Sequence, residues 1–320
     1  MSNEKQIFAN GRVAVISTKL FGIDKFNRLA DCNNIAEAVR VLVEGGYGGG
    51  VALADPNDYD NMLRAELDSA LAELKELCFD KNALAFLLCE YDFVNAKTLM
   101  KAKYMRIDGT NGCFVGATYE PKQMAKDFVD DDYSAYPKLM AEGCDAVDGR
   151  FADGERSPSV VDVELDRAMY AQMRAYARKT TLAVVKKLCA FRIDATNCIT
   201  LLRAKKAGYS AEKYRAMVLQ GGKVSEDTLL KLWSGDEKAT SDLYDEVRAV
   251  YDCDGDVLRA EETKRKTEFA LLTADADSLS VQPVLVYFAR KVREIDLVRT
   301  VLIGIKNNLP REEIKANITL

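Results

Sequence analysis

Residues 92–103 read DFVNAKTLMKAK, and residues 194–205 read DATNCITLLRAK. In register, Asp92/Asp194, Asn95/Asn197, Thr98/Thr200, Leu99/Leu201, Ala102/Ala204 and Lys103/Lys205 are identical. Placed on an α-helix at roughly 100° per residue, the identities fall within an arc of about 140°. Positions 93, 94, 96 and 97, which do not match, lie on the remaining surface. Chance agreement would scatter around the cylinder. A third copy stands at residues 294–305, EIDLVRTVLIGI. There Glu294, Thr300, Val301 and Gly304 take the places of Asp92, Thr98, Leu99 and Ala102, while Leu297 replaces the asparagine and Ile305 the lysine.

Each phrase follows an aromatic-bearing turn: Glu90-Tyr91, Ala190-Phe191 and Tyr287-Phe288. After the first two come a glycine turn and a new helix, Gly116 to Glu120 and Gly222 to Glu226; after the third comes Leu309-Pro310-Arg311-Glu312-Glu313. One helical module built three times explains this, with expected bounds 1–115, 116–220 and 221–320. The acid at the head of each phrase complements the helix dipole. The small residue further on marks a close helix crossing. The alternative is generic amphipathic helices that happen to agree.

Helical spacing runs along most of the chain. Residues 8–20 (FANGRVAVISTKL) fit a strand or the entry to a helix. Helical periodicity then covers 24–43, 62–77, 83–104 and 119–141. Residues 142–158, EGCDAVDGRFADGERSP, read as a polar linker. Ser157-Pro158 suits the start of the next helix, whose pattern runs through Leu188 and resumes from Asp194 to Ala207. Further helices are expected from Ser225 to Trp233, at 242–250, 261–272 and 281–306, with an amphipathic tail at 311–318. Convincing alternating strands are absent, so the expected class is all-α.

Composition narrows the function classes. The 320 residues carry a formal net charge of -5, against the basic face expected of a nucleic-acid binder. No run of eighteen apolar residues is present, and MSNEKQIFANGR lacks a signal-peptide core, so an intracellular protein is expected. The eight cysteines form no C-x-x-C pair and read as buried reduced thiols. The chain has no histidine, which removes the commonest general base and zinc ligand.

Three motifs invite chemistry. GGYGGG, residues 45–50, lacks the Gly-Lys-Ser/Thr of a phosphate loop and reads as an interhelical loop. DCDGDVLRAEE, residues 252–262, has its glycine before Asp256 rather than after the third acid of a calcium loop, and reads as a solvated acidic turn. Asp130-Asp131-Asp132 is a charge run without a partner motif. Asp92, Asn95, Asp194, Asn197 and Glu294 admit a polar site, but capping and interhelical hydrogen bonding are the favoured reading. No cofactor is expected.

The block VYFARKVREIDLVRTVLIGIKNNLPREEI, residues 286–314, resembles the C-terminal signature of the C subunit of archaeal and bacterial V/A-type ATPases, counterpart of the vacuolar ATPase d subunit. Glu294, Ile295, Arg299, Leu309, Pro310 and Ile314 fit its pattern. FANGRVAVISTKL and EYDFVNAKTLMKAKY are similar to the family as well. The resemblance implies three helical modules in a pseudo-threefold funnel. It implies a non-catalytic rotor adapter, joining a central shaft of D and F subunits to the membrane rotor ring during ion transport. The partners it implies are that shaft and that ring, with no nucleic acid and no direct nucleotide. The isolated chain would be a monomer, and its place the cytoplasmic side of the membrane, peripheral within a complex. Asp92, Asn95, Asp194, Asn197, Glu294, Arg299 and Gly304 are the expected interaction or structural residues. The competing hypothesis is an all-helical metal-dependent enzyme using acidic clusters.

Overall fold

A computed structural model describes residues 2–50, 53–274 and 280–318. The described residues form fifteen α-helices and no strand. In chain order these are α1 (Ser2–Ser17), α2 (Ile23–Ala30), α3 (Ile35–Glu44), α4 (Tyr59–Leu77), α5 (Lys81–Met105), α6 (Pro121–Val129), α7 (Lys138–Ala152) and α8 (Ser159–Lys179). There follow α9 (Ala183–Lys206), α10 (Ala211–Met217), α11 (Glu226–Ser234), α12 (Asp245–Tyr251), α13 (Val257–Thr273), α14 (Gln282–Lys306) and α15 (Arg311–Ala316). No helix among the described residues is long and apolar enough to cross a membrane.

The order repeats. A short helix, a second one, a long one and a phrase-bearing longest one recur as α2–α5, as α6–α9 and as α11–α14. The three phrase helices α5, α9 and α14 have 25, 24 and 25 residues.

Two compact units contain these elements. One gathers the chain up to Phe79, the segment Phe114–Ala117 and the C-terminal segment from Ser280. In it α14 packs on α4, α1, α2, α3 and α15, and α15 also lies on α2. The other holds α5 to α13. There α5 packs on α8 and α6, α7 on α8, and α9 on α8, α12 and α13. Around α9 a core of Phe191, Cys198, Leu201, Tyr214, Leu229, Leu232 and Val247 is shut from water. Each such side chain contributes roughly 1.5–3 kcal/mol by leaving water.

The expected linker at 142–158 is instead most of α7, and the expected helix at 119–141 is broken between Val129 and Lys138. Two glycines and several acids hid an amphipathic face. Met140, Gly143, Cys144 and Val147 recur at helical spacing and are buried. Gly143 is there for packing: a Cβ on it would stand 2.8 Å from the Ala168 Cβ of α8. The break between α8 and α9 falls at residues 180–182, earlier than the apolar pattern suggests. The N-terminal segment, open between strand and helix, is helical as α1. All eight cysteines are buried and none is joined in a disulfide.

Candidate functional site

The three phrases share one pattern of burial. Asp92, Asp194 and Glu294 are buried, and so are the residues one, three, four, seven, eight and ten positions further on. The third of these is Asn95, Asn197 or Leu297, and the last is Ala102, Ala204 or Gly304.

All three helices also stop in the same way. The N–H of Ile107 donates to the Ala102 carbonyl at 3.1 Å, that of Tyr209 to Ala204 at 3.0 Å, and that of Leu309 to Gly304 at 3.0 Å. The residue before each donor is left-handed: Arg106 at φ 56, Gly208 at φ 67 and Asn308 at φ 55. This is a Schellman cap, which satisfies carbonyls the helix end would otherwise leave bare. The left-handed residue follows the acid by 14 positions each time (106 − 92, 208 − 194, 308 − 294).

The acids do more than complement a dipole. Asp92 Oδ1 accepts the backbone N–H of Thr118 at 2.7 Å, just ahead of α6. Asp194 accepts the N–H of Lys223 at 2.8 Å and of Val224 at 3.1 Å, just ahead of α11, and the Tyr244 hydroxyl at 2.9 Å. Glu294 accepts the N–H of Phe21, just ahead of α2, and the Tyr47 hydroxyl at 2.6 Å. Each carboxylate therefore clamps the backbone that leads into a short helix. Such charge-assisted bonds to N–H groups are among the stronger ones in proteins.

Local sequence explains the close approach. A Cβ on Gly222 would lie 1.8 Å from Asp194 Oδ1, so only glycine lets the loop descend onto the carboxylate. Burial pushes the Asp194 carboxyl above its ordinary value, against the lowering effect of the donors from Lys223, Val224 and Tyr244. Asn197 fixes the same loop from below, donating to the Leu219 carbonyl at 2.9 Å and accepting its N–H at 2.8 Å.

Around Glu294 the network is ionic. Lys291 Nζ lies 2.7 Å from Glu294 and 2.6 Å from Glu66. Burial alone would lower the Lys291 ammonium, but the two carboxylates outweigh it and raise it. Burial, then the Glu294 charge, pushes the Tyr47 phenol far above its ordinary value. Gly48 donates its N–H to Glu66 at 3.2 Å, with φ +62, and a Cβ there would meet Met62 Cγ at 2.8 Å. GGYGGG thus anchors a buried tyrosine on the third phrase.

The other expected residues occupy plain positions. Arg299, partly exposed on α14, lies 3.2 Å from Asp296 and 3.7 Å from Asp60. Gly304 lies against α15, where a Cβ would meet Ile314 Cγ1 at 2.8 Å. Asp131 pairs with Lys103, Asp132 accepts from Ser134, and Asp256 caps α13. Among the described residues no group of three or more His, Cys, Asp or Glu stands close enough to hold a metal ion. Sequence reading missed Phe21 as the partner of Glu294, because no spacing rule links residues 273 positions apart. The signal available was the third acid, with no glycine turn behind it.

The sequence model of the ATP synthase (C/AC39) subunit family matches residues 9–317. The chain is 28% identical to the C subunit of the A-type ATP synthase of Desulfurococcus sp. (strain SY), over 96% of this chain and 89% of that one. It is 26% identical to the same A-type ATP synthase component of Thermococcus onnurineus (strain NA1), over 96% and 88%. Against that of Halobacterium salinarum (strain ATCC 29341 / DSM 671 / R1) identity is 26%, over 94% of both chains.

Proposed function

This chain belongs to the ATP synthase (C/AC39) subunit family, and from that premise we propose that it is a non-catalytic rotor adapter. It joins the central shaft, made of D and F subunits, to the membrane rotor ring of a V/A-type ATPase or ATP synthase. It lies on the cytoplasmic face, peripheral to the membrane and held by protein contacts. The family match across residues 9–317 carries this reading.

The clamps support a funnel of three modules in pseudo-threefold order. The first phrase acid holds the start of the second repeat at Thr118, and the second holds the start of the third at Val224. The third holds Phe21, the start of the first. A closed succession of this kind suits a part that must pass torque without slipping. Close packing through Ala102, Ala204 and Gly304 adds stiffness, since packed interiors resist deformation.

The test is retention of a purified D–F shaft pair by the immobilised chain. Stoichiometric capture is expected. Shaft proteins that flow through, with the chain folded, would count against the adapter. Magnesium-dependent turnover by the isolated chain would favour the metal-dependent enzyme instead.

A further inference from the structure

The first repeat lacks a short helix that the other two carry at the same place. In the second, α10 begins 17 residues after the acid (211 − 194), and in the third α15 begins 17 after it (311 − 294). Each delivers one large apolar side chain 20 residues after the acid. Tyr214 is fully buried and stacks on Trp233 of α11, ring centroids 5.0 Å apart. Ile314 is buried against Gly304, on the helix that lies across α2. In the first repeat the corresponding stretch is a single tight turn, Thr110–Gly112, and the residue 20 after Asp92 is Gly112.

A groove of about 390 Å³ remains between that turn and α6. Leu99, Ala102, Ile107, Ala125, Lys126 and Val129 line it. Ile107 is 58% exposed and Val129 66%, so its rim is apolar and open. Two of its charges are turned elsewhere. Asp108 accepts from Thr110, and Lys103 is held by Asp131, Asp148 and Tyr133. Shape and apolar contact, not charge, therefore select what fits.

We infer that this groove receives a short amphipathic helical end of a partner protein, whose large apolar side chain takes the place Tyr214 and Ile314 hold in the other repeats. The occupant is read from the chain's own fillers. Both are single-turn to two-turn helices with acids in the first turn (Glu212; Glu312 and Glu313) and one large apolar residue. The inference rests on the reading of the chain as part of an ATP synthase for the partner's origin, which is another protein of that assembly. Helix-in-groove docking of this type needs few anchors.

Because the native cysteines are all buried, a Val129→Cys variant can be tagged selectively with a trifluoromethyl reporter, and Leu258→Cys, on a remote exposed site, serves as control. The probe is a synthetic peptide of residues 309–318, the chain's own third-repeat filler. A saturable shift at the Val129→Cys tag, none at Leu258→Cys, and silence from the peptide with Ile314→Asp are expected. No saturable shift, or an equal response to the Ile314→Asp peptide, overturns the groove. In the assembled complex, maleimide labelling of Val129→Cys should fall about tenfold as the rim is covered, with Leu258→Cys unchanged. An assembled complex in which Val129→Cys labels freely overturns the partner and leaves the ATP synthase reading standing. Failure to assemble strikes the ATP synthase reading, and the peptide titration still decides the groove.

Discussion

The Glu294 carboxylate accepts the backbone N–H of Phe21, a residue at the other end of the chain. Phe21 precedes α2 as Val224 precedes α11, so the last repeat holds the first in the way the second holds the third. A covalent chain of three repeats is thereby tied end to end through one buried acid.

Glu294→Ala should destabilise by about 3 kcal/mol, the lower end for breaking a buried ion pair, because Lys291 keeps Glu66 as a partner. The loss of acceptors for Phe21 N–H and the Tyr47 hydroxyl adds to it. Urea unfolding measures this, and an unchanged midpoint would show that the clamp does not bear on stability.

Alkaline pH should loosen the same cluster. The Tyr47 phenol is raised above its ordinary value of 10.0, so the folded chain keeps a proton that the unfolded chain releases. Its contribution is full below that value and is lost as pH rises towards the folded one. Lys291, raised from 10.5, acts in the same sense. Between about pH 8 and about pH 11 the native chain should lose more stability than Tyr47→Phe. Parallel losses in the two proteins would remove Tyr47 as the titrating group.

The parts legible in the sequence were those carried by spacing on one helix. The phrase gave α5, α9 and α14, their buried face and the small residue at Ala102, Ala204 and Gly304, because helical geometry turns sequence distance directly into a shared surface. Helix α7 was hidden because Gly143 and Gly149 look like breakers, yet Gly143 sits where Ala168 crosses too close for any Cβ. The Asp92, Asp194 and Glu294 clamps were legible only as polar residues on a helix. Their partners are backbone N–H groups, which have no sequence signature. Short α10 was missed for the same reason that it matters: a single buried Tyr214, rather than a periodic pattern, holds it down.

Gly304→Leu should destabilise by about 1–3 kcal/mol through overpacking against Ile314. Combining it with Ile314→Ala should recover part of that loss, since the two groups compete for one space. The melting midpoints of both variants decide it. Strict additivity would mean that α15 does not rest on Gly304.

The adapter reading is tested most directly by coupling. An ion-translocating ATP synthase complex assembled without this chain should hydrolyse ATP without driving ion transport, and adding the purified chain should restore transport. Full coupling in its absence would contradict the account.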